Sequence, residues 1–66
     1  MSRELDIKGH RYRILSEPEA NGWRARVMEA REDGSSDEVG IDATAETRGA
    51  ADEAAERKLR RLLQAN

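Results

Sequence analysis

Arginine recurs at every second position in two short stretches of this chain, Arg11 with Arg13 and Arg24 with Arg26. A spacing of two places side chains on one face of a β-strand. On neighbouring strands the two pairs would therefore share a surface. Guanidinium groups bind carboxylates and phosphates in bidentate geometry. Met28 and Leu15 fall on the same face and add apolar area, and Asp42 falls across from them. Arg11, Arg13, Arg24, Arg26 and Met28 thus form the candidate binding face, suited to phosphates or to an acidic partner. The competing reading is a solvated face with cross-strand pairs such as Arg26 with Asp42, each contributing ~0.2–1 kcal/mol.

The remaining polar residues offer less chemistry. His10 is the only histidine and there is no cysteine, so neither a thiolate nor a multi-imidazole metal site can be assembled. Asp33, Asp37 and Glu38 flank Gly34 without the regular oxygen-ligand spacing of a calcium loop. Ser35 and Ser36 have no base placed to activate them. No glycine-rich phosphate cradle is present. These patterns lead us to expect a protein that is not an enzyme and carries no cofactor and no metal.

Three alternating stretches must position the arginines. Tyr12 and Ile14 alternate with Arg11, Arg13 and Leu15, and Trp23, Ala25 and Val27 alternate with Arg24, Arg26 and Met28. Val39, Ile41 and Ala43 alternate with Gly40, Asp42 and Thr44. Each is a strand period. Glu17 to Gly22, with Pro18 and Asn21-Gly22, reads as a hairpin loop longer than two residues, because proline cannot serve a central ladder. Arg31 to Glu38 reads as a second loop. Leu5 and Ile7 also alternate, with Lys8-Gly9 as a turn, so residues 1–9 are either a short extra strand or a frayed start.

Thr47 to Gln64 carries apolar residues at 51, 54, 55, 59, 62 and 63, the spacing of one helical face. Thr47 is placed to cap this helix, and Glu53 with Arg57 and Glu56 with Arg60 are acid-before-base pairs four residues apart, each favourable by ~0.3 kcal/mol. The apolar face of the strands needs a cover, and the alanine-and-leucine stripe is the one available. The expected fold is α+β: a three-stranded antiparallel sheet, with the short N-terminal strand as an option, covered on one face by a C-terminal helix. Ala51, Ala54 and Ala55 let the helix approach closely, and Leu59, Leu62 and Leu63 fill the space beyond, within reach of Trp23.

Sixty-six residues make one domain, and a chain this short buries only about 60% of its unfolded surface. With no Phe, one Trp and one Tyr, the core is thin, which favours self-association as a staple. The formal charge of −2 does not advertise nucleic acid or an anionic membrane. No apolar run approaches spanning length. The first residues lack the basic-then-apolar form of a signal peptide, so a cytoplasmic location is expected.

Thr47 to Ala55 and on to Leu59, together with Trp23 and Gly40, resembles the β-β-β-α part of the double-stranded-RNA-binding-domain fold, whose last helix opens with a cap, basic residues and then alanines. That resemblance implies RNA binding, although Asp52 and Glu53 stand where phosphates would approach. Asn21-Gly22-Trp23 and Thr47 also resemble the turn and helix entry of HicB-like antitoxin domains. That likeness implies a small dimeric module that blocks a partner protein. The expected function is a non-catalytic protein-interaction module that binds a protein partner or a second copy. Binding of double-stranded RNA or another nucleic acid is the alternative, and an uncharacterised domain role is the third.

Overall fold

Alternation of apolar and charged residues builds an open antiparallel sheet of four strands, paired in chain order. They are β1 (Ser2–Ile7), β2 (His10–Glu19), β3 (Gly22–Ala30) and β4 (Ser36–Ala45), and helix α1 (Arg48–Gln64) follows. The structure, a computed structural model, describes residues 2–64. The architecture is α+β with the helix on one face, but the sheet has four strands instead of three. Leu5 and Ile7 do form a strand, because β2 offers Tyr12 and His10 directly opposite them and the core accepts both side chains.

The hairpin between β2 and β3 is tighter than the expected long loop. The ladder runs on through Pro18 opposite Trp23 to Glu19 opposite Gly22, which leaves a turn of Ala20 and Asn21 alone. Proline is tolerated there because β1 pairs with β2 only as far as Leu15. Beyond that point, among the described residues, the far side of β2 is an edge and its missing N–H costs no ladder bond. Gly22 is required for a steric reason: a Cβ at this position would lie 2.3 Å from the Ala45 carbonyl oxygen.

In β4 the alternation survives a bulge. Arg26 pairs with Asp42 and Met28 with Glu38, so Val39, Gly40 and Ile41 together face Val27. Gly40, at φ +84°, takes up the irregularity. Because two extra residues are accommodated, Val39 and Ile41 both stay on the helix side.

Thr47 caps the helix as expected: its Oγ1 accepts from the Ala50 N–H at 3.1 Å. The buried row is Ala51, Ala55 and Leu59, which meets Tyr12, Ile14, Ala25, Val27 and Ala43 of the sheet. Small alanines at the helix start bring it against β3 and β4, and Leu59 fills the middle. Leu63 continues the same i, i+4 row and packs on the core. Leu62, one position off that row, is 51% exposed, contrary to its expected place in the core. Trp23 is half-buried and lies opposite Ala45, at the end of the sheet where the helix begins. It therefore lies at the other end of the helix from Leu62 and Leu63.

Candidate interaction face

The ladder register places the four arginines as their spacing implies, on the sheet face away from the helix. Arg13 stands opposite Met28, Arg11 opposite Ala30, Arg26 opposite both Leu15 and Asp42, and Arg24 opposite Glu17 and Thr44. β1 contributes Glu4 beside Arg13 and Asp6 beside Arg11. Six carboxylates (Glu4, Asp6, Glu17, Glu19, Glu38, Asp42) are thus interleaved with four guanidinium groups on one face.

Most of these charges meet diagonally. Arg24 Nε lies 2.9 Å from Glu19 Oε1, and its Nη1 lies 3.9 Å from Asp42 Oδ2. Arg26 spans Glu17 at 3.7 Å and Glu38 at 3.5 Å. Arg26 does not pair with Asp42 although the two are directly opposite; the bulge brings Glu38 within its reach instead. Arg13 donates to Glu4 at 3.2 Å. Arg11 is the exception: among the described residues it is the one arginine of this face with no carboxylate within 4.0 Å. These pairs are exposed, so each contributes ~0.2–1 kcal/mol at most.

A hollow of about 250 Å³ lies at one end of the face. Leu15, Met28 and Ala30 give it an apolar floor, and Arg11, Arg13, Arg31 and Glu4 line its rim. Of its three guanidinium groups, Arg13 is paired with Glu4 and Arg31 with Asp37, which leaves Arg11, with Asp6 opposite it on β1, as the one without a carboxylate within 4.0 Å among the described residues. Of the five candidate residues, the structure brings Arg11, Arg13 and Met28 together here; Arg24 and Arg26 lie toward the opposite end, held by their own carboxylates. The volume is below the roughly 300–1,000 Å³ of small-molecule sites. It suits one or two side chains of a partner.

Two contributors were not singled out from the sequence. Glu4 alternates with Leu5 in the strand period, so its place follows once β1 is accepted as a strand. Arg31 begins the β3–β4 loop and carried no periodic signal. The loop folds back on itself: the Arg31 N–H donates to the Ser35 carbonyl at 2.8 Å, and the Arg31 side chain pairs with Asp37. Asp33 Oδ1 accepts from both the N–H and the hydroxyl of Ser35, at 2.9 and 2.6 Å, and the hydroxyl bond is the main influence holding its carboxyl below the usual range. Asp33 and Ser35 thus shape the loop that walls the hollow.

Elsewhere, His10 Nδ1 lies 3.1 Å from Glu29 Oε2 on the helix side of the sheet. Burial, and then the nearby Glu29 charge, push the Tyr12 hydroxyl above its ordinary value. Arg60, and then Arg3, hold the Glu56 carboxyl below its ordinary value at 3.0 and 3.1 Å. Asp52 is buried at 8% exposure, where the sequence suggested an acid facing phosphates. Among the described residues no three His, Asp or Glu side chains are grouped to hold a metal, and no helix is long and apolar enough to cross a membrane.

Neither the protein-family models nor the curated proteins contain a match to this sequence, and no solved structure matches the fold.

Proposed function

We propose that the protein is a non-catalytic interaction module that docks a polypeptide partner on the outer face of its sheet, anchored in the hollow formed by Arg11, Arg13 and Met28. The observation that carries this reading is the combination, in one concavity, of an apolar floor and a rim arginine, Arg11, without a carboxylate partner among the described residues. A partner side chain bearing a carboxylate would meet Arg11 without first displacing an internal acid, and an adjacent apolar side chain would cover Met28 and Leu15. Buried, desolvated contacts of this kind supply most of the affinity in protein interfaces.

Nucleic acid fits the same face less well. Six carboxylates among four arginines would oppose a phosphate backbone along most of the sheet, whereas a single carboxylate can be received locally. The HicB-like resemblance points in the same direction, toward a protein partner.

The test is to pan a random dodecapeptide library on the folded protein and measure the recovered peptides against Met28→Asp and Arg11→Glu, with circular dichroism confirming that both variants fold. The selected peptides should pair an acidic with an apolar residue and bind both variants roughly tenfold more weakly or worse, equivalent to about 1.4 kcal/mol. Equal affinity for the variants would reject the face. Duplex RNA binding that weakens steeply with salt would favour the nucleic-acid alternative.

A further inference from the structure

The two edges of the sheet are built differently. β4 is defended: its register breaks at the Gly40 bulge, and Lys58 reaches down from the helix to donate to the Asp42 carbonyl at 2.9 Å. Bulges and lysines are among the devices by which natural sheets blunt an open edge, as are other charged side chains, which on β1 confine pairing to a strand of complementary charge. β1 carries neither bulge nor lysine among its described residues, since its register with β2 is unbroken from Ser2 to Ile7. The helix packs on β2, β3 and β4 and reaches β1 through the Arg3–Glu56 ion pair. Leu5 and Ile7 are consequently left half-buried on the helix side of an open strand.

We infer that β1 is a docking edge for an extended segment of another polypeptide in which basic and apolar residues alternate. The charge pattern selects the occupant. On the outer face β1 presents Glu4 and Asp6, both exposed, and on the other face Arg3, Leu5 and Ile7, with the Arg3 charge held by Glu56. Its complement is already visible in β2, where Arg13 bonds Glu4, Arg11 stands opposite Asp6 and Tyr12 stands opposite Leu5. A strand added on the free side meets the same two faces.

A second copy of the chain does not meet that requirement. Antiparallel pairing of two β1 strands, with faces kept in register, sets Glu4 and Asp6 against Glu4 and Asp6. β4 likewise carries Glu38 and Asp42 on its outer face, so a β1–β4 pair brings acids alongside acids there. Like charges directly opposite are destabilising, so the edge discriminates against self-pairing while it remains open to a basic strand. The edge shares Glu4 with the rim of the hollow, but the free ladder lies on the side of β1 away from β2, so this inference does not rest on the outer-face reading.

The experiment uses the isotope-labelled full chain and a capped hexapeptide, His-Arg-Tyr-Arg-Ile-Leu, which repeats the β2 pattern. Two control peptides replace both arginines by glutamate or the tyrosine by proline. The basic peptide should shift the amide signals of residues 2–7, and the glutamate peptide should bind roughly tenfold more weakly, as two like-charge pairs require. The proline peptide, unable to complete the ladder, should also lose affinity. A Glu4→Lys, Asp6→Lys double variant should reverse the preference between the basic and acidic peptides. Absence of binding by the basic peptide at low salt, equal binding by all three peptides, or shifts confined to Met28 and Arg31 would overturn the proposal.

Discussion

The two faces of this sheet come from the same strands and obey the same alternation, yet they are legible to very different degrees. The helix-covered face is specified by residue type. Tyr12, Ile14, Ala25, Val27 and Ala43 are all buried, and only an apolar cover satisfies them. The outer face is specified by register. The alternation shows that four arginines are there, but which acid meets which arginine depends on pairing and on a bulge whose place Gly40 marks but whose size it does not fix.

The contrast can be broken most forcefully at its apolar side. Leu59 is fully buried at the centre of the helix row, so Leu59→Ala should cost about 2–5 kcal/mol in urea unfolding. That is a large share of the stability of a domain this size, and Ile14→Val, at about 0.5–1.5 kcal/mol, gives a measurable result if the alanine variant does not fold. Arg24→Ala on the outer face should cost about 1 kcal/mol, since its Glu19 pair is exposed and its Asp42 pair, at 3.9 Å, adds little. Comparable losses on the two faces would contradict the division of labour.

A smaller effect sharpens the comparison where a charge does reach across the helix. Glu56 ties the helix to β1 through Arg3 and bonds Arg60, and its folded carboxyl titrates below the ordinary range. A lowered folded pKa means stabilisation that is present above the ordinary carboxylate range and lost as pH falls through the folded value. Glu56→Gln should therefore destabilise by at most about 1 kcal/mol near neutral pH, and by less in acid, once the pH has fallen through the lowered range in which the folded carboxyl titrates. An unchanged difference at the two pH values would mean that packing, not charge, is what Glu56 contributes.

The sequence carries most of the helix: cap, stripe and the Glu56–Arg60 pair follow from spacing, whereas the equally spaced Glu53 and Arg57 form no ion pair within 4.0 Å among the described residues. It places Leu62 and Leu63 together on that stripe, but only Leu63 continues the 51–55–59 row, and that distinction needs the helix seated on the sheet. Pro18 reads as a strand breaker until one sees that β1 has already ended beside it. Alternation groups Arg11, Arg13 and Met28, yet the hollow also requires Glu4 from a strand whose existence was open and Arg31 from a loop. Non-local pairing decides those contributions, and periodicity does not report it.

The account's central claim is best tested by locating a bound peptide on the protein. Acidic-apolar peptides recovered by panning should, when titrated into the isotope-labelled chain, shift the amides of Arg11, Arg13, Met28 and Arg31 and leave the exposed helix face around Arg57 and Arg61 unmoved. Shifts clustered on the helix, with the outer sheet face silent, would contradict it.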